Sequence, residues 1–196
     1  SKPFNFSAIN NFAARKARSE ILCFANNDIV ITDQDWVSKM VPLAKRENVG
    51  AVGCVLLYPN SRIQHAGVAL EESSIAKHIA LNEESDFLDK NEISGPFPVD
   101  SATAAFLLTK RDLFLKLGGF NEKYLTVAYN DIDLCLRMSE KGLVILIEPN
   151  VKLLHYESIT RGSDELPSNR ARAINELKYV KYRWQHRLEG KRYESG

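Results

Sequence analysis

Ile21-Leu22-Cys23-Phe24-Ala25-Asn26-Asn27-Asp28 is an apolar run that stops on two amides and a carboxylate. An apolar run of this length with polar ends reads as an interior strand of a parallel sheet. Such sheets place their ligands just beyond the carboxyl ends of the strands, where Asp28 falls. A carboxylate there can hold a divalent cation against a phosphate, because hard cations such as magnesium and manganese prefer oxygen ligands. Asn26, Asn27 and Asp28 are also strong turn formers, and on this segment alone a plain turn is the better reading. The rest of the chain reverses it.

Outward from this run, helical and extended patterns alternate. Ser7 to Arg18 has alanines, Ile9 and Phe12 at helical spacing, with Ser7 as the N-cap. Asp35-Trp36 opens a second helix through Leu43-Ala44, and Val49 to Tyr58 is apolar and β-rich up to the turn at Pro59-Asn60. The tract 71–98 is acidic, nearly aperiodic and closed by Gly95, Pro96 and Pro98, so it reads as a long surface loop with a helical turn. Ala102 to Thr109 reads as a buried strand, and Lys110 to Leu117 as a helix stopped by Gly118-Gly119. Asn130 to Lys141 is a helix capped by Asn130 or Asp131 and ended by Gly142. Two short strands, Leu143 to Ile147 and Val151 to Leu154, flank Glu148-Pro149-Asn150, and a last helix covers about residues 169–188. Alternation of this kind defines an α/β domain. The chain opens on a helix and has no glycine-rich phosphate loop, so elements that begin a doubly wound domain are expected before Phe4.

The 196 residues suffice for one domain with a full core. With 44% hydrophobic and 26% charged residues, the balance is that of a globular protein. A formal net charge of +1 gives no pull toward nucleic acid. Cys23, Cys54 and Cys135 all lie in apolar runs and read as buried thiols of a reducing compartment. No apolar stretch nears the roughly 18 residues that span a bilayer, nor is there a signal-peptide pattern, which points to the cytoplasm.

Six segments, in order, carry a resemblance. They are Phe4-Asn5-Phe6-Ser7-Ala8-Ile9-Asn10-Asn11, then Phe24-Ala25-Asn26-Asn27-Asp28, and Ile63-Gln64-His65-Ala66-Gly67. Gly118-Gly119-Phe120-Asn121-Glu122 and Tyr129-Asn130-Asp131-Ile132-Asp133-Leu134-Cys135-Leu136-Arg137 follow, and His155 with Ser158, Arg161 and Gly162 ends the set. Over about residues 4–162 the chain resembles the inverting GT-A glycosyltransferases of family 2, especially their bacterial rhamnosyltransferase-like branch. The resemblance implies a GT-A fold, of which this chain carries the C-terminal two-thirds in residues 1–165. The family's nucleoside-holding strands are then expected before residue 4, and residues 166–196 form a basic C-terminal helix. The family's Asp-x-Asp motif reads Asn26-Asn27-Asp28 here, with an amide in place of the first carboxylate.

Transfer of a sugar from a nucleoside diphosphate needs a neutralised leaving group, a base for the acceptor hydroxyl and a positioned sugar. The resemblance implies Asp28 and His155 as metal ligands for Mn2+ or Mg2+, and Asp131 as the catalytic base. It implies Asn27, Ser101, Ala102, Thr103, Asn130 and Arg161 as substrate-binding residues. Asp133 is spaced to pair with Arg137 four residues on, which favours a structural ion pair. His65 reads as structural or substrate-orienting, and the helical register of Trp36 argues for packing. The implied partners are a nucleoside-diphosphate sugar and a glycan or lipid-linked acceptor in polysaccharide biosynthesis. The C-terminal segment carries eight cations against three acids, interleaved with Tyr179, Tyr182 and Trp184. It reads as a solvated helix or as a peripheral contact with anionic lipid. Exposed sheet left by absent strands also suggests a homodimer. Two other functions remain open: a metal-dependent phosphohydrolase using Asp28, Asp131 and His155, and a truncated, non-catalytic domain that binds a glycan or partner.

Overall fold

A computed structural model describes residues 3–71, 74–156 and 167–190. In chain order the elements are α1 (Phe6–Lys16), β1 (Ile21–Ala25), β2 (Ile29–Val30), α2 (Trp36–Ala44), β3 (Val49–Leu57), β4 (Ile63–His65), β5 (Val68–Glu71) and β6 (Ile75–His78). They continue with α3 (Phe87–Lys90), β7 (Phe97–Val99), β8 (Phe106–Lys110), α4 (Arg111–Lys116), α5 (Asn130–Ser139), β9 (Val144–His155) and α6 (Pro167–Gly190). A seven-stranded sheet has the order β1-β8-β3-β9-β2, with β4 added to β3 and β7 to β9, and β5 with β6 forms a separate hairpin. β3 runs parallel to β9, and the other pairs of the sheet are antiparallel. The α/β reading of the sequence holds.

Several local expectations are corrected. β1 is an edge strand antiparallel to β8, not an interior parallel strand. Leu22 and Phe24 point into the core while Cys23 and Ala25 are exposed, so the run is half-buried with small residues on its open side. Cys23 is therefore not a buried thiol, whereas Cys54 and Cys135 are. The tract 71–98 contains β6, α3 and β7 rather than one long loop. The strand expected from Ala102 starts only at Phe106, and residues 102–105 form a loop. Asn5, not Ser7, caps α1 by accepting from the Ala8 amide at 2.8 Å. At α5 neither Asn130 nor Asp131 is the cap: Tyr129 takes that place at φ 59°, and the Asn130 side chain donates back to the Val127 carbonyl at 2.7 Å. The two strands expected around Pro149 are one, β9, in which the register shifts between the Cys54–Glu148 and Val55–Lys152 pairs.

Packing explains the layers. β3 is buried over eight of its nine residues, which makes it the spine of the sheet. On one face Phe24, Phe114 and Phe120 form an aromatic cluster with ring centroids 4.9 to 5.2 Å apart. On the other, Trp36 of α2 meets Phe106 edge-on at 5.1 Å, so Trp36 packs as its register implied. The turn after α4 needs glycine. Gly119 has φ +74°, and a Cβ there would lie 2.3 Å from Oδ1 of Asn11, which holds Phe120 through its main-chain N–H and carbonyl.

Several buried polar groups of the α5–α6 layer and the loop behind it are paired, as their desolvation demands. Val180, Trp184 and Leu188 of α6 pack with Ile132 and Leu136 of α5 in one buried cluster. Glu176 of α6 is 2% exposed and accepts from Thr126 Oγ1, Val127 N and Ala128 N at 2.7, 2.9 and 3.1 Å. Arg172, one turn earlier, pairs with the same carboxylate at 2.5 Å. His65 is buried, and its Nε2 accepts from the Thr103 amide at 3.2 Å. Burial, with His78 beside it, pushes the His65 imidazole down to about 3.

Two outcomes follow from these pairings. Glu176→Ala strands three donors and a cation, and should lower unfolding free energy by about 3 kcal/mol in urea titrations. A loss below about 1 kcal/mol would show that α6 does not hold the 126–128 segment. For His65, the unfolded ring takes a proton near 6.5 and the folded ring only near 3. Its contribution is therefore complete above about pH 6.5 and is lost as pH falls toward 3, with a slope of up to about 1.4 kcal/mol per pH unit. His65→Gln should flatten that slope relative to wild type.

Candidate active site

A cleft of about 640 Å³ opens where the end of β1, the loop 103–105, the start of α5 and the end of β9 converge. Asn27, Asp28, Thr103, Asn130, Asp131 and His155, all singled out in the sequence, line it together. Ser101 and Ala102 do not. They are fully buried behind the wall, where the Ser101 carbonyl accepts from the Val68 amide at 2.8 Å. Arg161 lies outside the described residues. Phe4, Phe6 and Ile9 add an apolar wall, and Ser74, Ala76 and His78 add the rim of the β5–β6 hairpin. His78 and Ser74 escaped sequence reasoning because they sit in the tract read as a long surface loop with a helical turn.

The turn and the site are the same object. Ile29 N donates to Asn26 O at 3.3 Å, closing a turn that reverses the chain into β2. β2 then pairs antiparallel with the end of β9, with Ile29 opposite His155. That pairing carries Asp28 to a residue far along the chain: its Oδ1 lies 3.1 Å from Nε2 of His155. The Asn26 side-chain amide stands 3.4 Å from the same nitrogen, and Gln64 Oε1 lies 2.5 Å from Nδ1. Oδ1 of Asp28 is buried and, among the described residues, has no hydrogen-bond partner, although the imidazole stands close to it. If the ring carries a single proton, on Nδ1, then two lone pairs converge across 3.1 Å. A divalent cation with an oxygen and a nitrogen ligand fits that arrangement, and its remaining positions open on the cleft. Among the described residues no group of three or more His, Cys, Asp and Glu side chains is gathered for a metal. Asp28 and His155 would hold such a cation, which would supply positive charge beside a bound phosphate.

Asp131 and Asp133 share one helical turn but differ in environment. Asp131 lines the cleft from the first turn of α5, where the helix dipole favours negative charge. Its Oδ1 accepts from Ile132 N at 2.8 Å and its Oδ2 from Ala104 N at 3.1 Å, so the carboxylate is held rigidly with lone pairs left over. Asp133 points away and is buried, taking Arg137 Nε at 2.8 Å and Trp184 Nε1 at 3.1 Å. The ion pair expected from the four-residue spacing is present. His65, as expected, supports the wall: by accepting from Thr103 N it fixes the loop that carries Thr103 and Ala104.

Comparison with known proteins gives the family and the fold. The model of the family described as "Glycosyltransferase like family" matches residues 5–176. The chain is 41% identical over 186 residues to protein y4gI of Sinorhizobium fredii, covering 93% of the chain and 20% of that protein. It is 38% identical over 188 residues to the O-antigen biosynthesis protein RfbC of Myxococcus xanthus, covering 92% and 14%. Rhamnosyltransferase WbbL of Escherichia coli shares 23% over 164 residues, covering 78% and 61%. The chain thus spans a fifth or less of the first two relatives. Among solved structures, GalNAc-T7 with UDP, GalNAc and Mn2+ superposes with a TM-score of 0.67 at 13% identity, covering 92% of this chain and 35% of that one. Mannosyltransferase PcManGT of Pyrobaculum calidifontis, in complex with GDP-Man and Mn2+, does so at 0.58 and 16%, covering 92% and 45%. The fold is GT-A, and the chain belongs to the glycosyltransferase-like family.

Proposed function

We propose that this domain transfers a sugar from a nucleoside-diphosphate donor to a glycan or lipid-linked acceptor, with inversion at the anomeric carbon. The observation that carries the reading is the convergence of Asp28 and His155 in the same cleft as Asp131. In this reading Asp28 and His155 would hold one divalent cation, whose charge would offset that of the departing diphosphate. The imidazole ligand favours Mn2+ over Mg2+. Asp131 accepts the proton of the attacking acceptor hydroxyl, and its two main-chain hydrogen bonds keep it aimed while leaving one lone pair on each oxygen. Thr103, Asn27 and Asn130 offer polar contacts to the sugar and the diphosphate. In this reading the nucleoside lies on the β1 side, where the sheet ends in an edge strand.

The names of the relatives support a polysaccharide product: one is an O-antigen biosynthesis protein and another a rhamnosyltransferase. A phosphohydrolase needs a denser set of carboxylates than Asp28, Asp131 and His155, and among the described residues no such cluster exists. Asp131→Asn in the protein that carries this domain is the test. Acceptor-dependent release of nucleoside diphosphate should fall by about 10²- to 10⁴-fold, while donor still raises the melting temperature as in wild type. Unchanged turnover would remove Asp131 from the role of base.

A further inference from the structure

Gln64 sits in β4, buried behind the cleft, and no part of the reaction just described uses it. It falls at the irregularity of the β3–β4 ladder, between the Leu56–His65 and Leu57–Ile63 pairs. Leu57 of β3 pairs with Ile63 of β4 on one side and with Leu154 of β9 on the other. One residue past each partner stand Gln64 and His155, which meet with Gln64 Oε1 2.5 Å from His155 Nδ1. A carboxamide oxygen has no proton to give, so this contact requires the proton on Nδ1. A neutral imidazole has one proton, and placing it there leaves a lone pair on Nε2. Two acceptors compete for that proton, Gln64 at 2.5 Å and Asp28 Oδ1 at 3.1 Å. The Asn26 amide, 3.4 Å from Nε2, is placed to donate to a lone pair there and so takes the side of Gln64.

We infer that Gln64 is a positioning residue that locks His155 with its proton on Nδ1, so that the Nε2 lone pair and Asp28 Oδ1 face the same point and are ready for a divalent cation. The metal part of the inference rests on the function proposed above, and the tautomer part does not. The next residue on the strand serves the other wall, since His65 accepts from the Thr103 amide. Two consecutive side chains of one short strand thus set both the metal side and the sugar side of the cleft.

Long-range ¹H–¹⁵N correlation spectra of the metal-free chain, taken at a pH where histidines are neutral, report the tautomer of His155 directly. Wild type should show Nδ1–H. Gln64→Leu should move the proton to Nε2, where Asp28 accepts it. In the presence of a nucleoside diphosphate the same variant should bind Mn2+ about 10- to 100-fold more weakly. Gln64→Glu keeps an acceptor on Nδ1 and should restore both the tautomer and the affinity. Nε2–H in the wild-type spectrum overturns the inference, and needs no variant to fold. Retention of Nδ1–H in Gln64→Leu also overturns it. Failure of the underlying reading looks different: the tautomer follows Gln64, but Asp28→Ala takes up Mn2+ as well as wild type does, which removes the metal part.

Discussion

The parallel pairing of β3 with β9 is the constraint on which the site depends. β9 ends at His155, and β3 carries β4 with Gln64 and His65 on the far side of Leu57. β2 closes onto the last residues of β9 and brings Asp28 with it. A one-residue slip in this ladder would turn every side chain to the opposite face. A strand buried on both faces cannot rely on apolar alternation to prevent such a slip, so close contacts must do it. Gly53 supplies one: a Cβ there would lie 2.8 Å from the Cβ of Ala102 and 3.0 Å from Ile147. The segment behind the sugar wall is therefore set directly against the spine of the sheet.

α6 decides which carboxylate faces the cleft. Asp131 and Asp133 differ by two positions on α5, and residues so spaced diverge in direction. Trp184 and Arg137 claim Asp133 for the interior, while Glu176 fastens the segment 126–128 that leads into α5. Asp131 is left at the dipole-favoured end, its orientation fixed by two amides. A helix that reads in sequence as a basic surface feature thus contributes two buried polar anchors to the site's support.

Legibility in the sequence followed the range of the interaction. The Asp133–Arg137 pair, the packing register of Trp36 and the polar stop at Asp28 are local patterns, and each was readable. The six ordered motifs marked Asp28, Asp131 and His155 as candidates, and the fold gathers them in one cleft. The orientation of β1 was not readable, because an apolar run carries no information about its partner. The β5–β6 hairpin, whose second strand lies in 71–98, was hidden for a different reason: its strands are four residues each, and Ile75 takes φ 73°, which no residue-type rule anticipates. Ser101 and Ala102 looked like site residues because they match the family's substrate-facing strand start, yet the strand begins later and leaves them behind the wall. Gln64 stood inside a motif, but its partner is 91 residues away, a contact that only tertiary structure reveals.

The central claim is that Asp28 and His155 hold one cation through which the donor's diphosphate binds. It is tested most directly by thermal-shift titration of wild type and Asp28→Ala with Mn2+ and a panel of nucleoside diphosphates. At 100 times its dissociation constant a ligand adds about 2.7 kcal/mol, a rise of several degrees for a domain of this size. The account predicts a rise for at least one nucleotide that requires Mn2+ and disappears in Asp28→Ala. A rise of equal size in the variant, or one indifferent to metal, would contradict it.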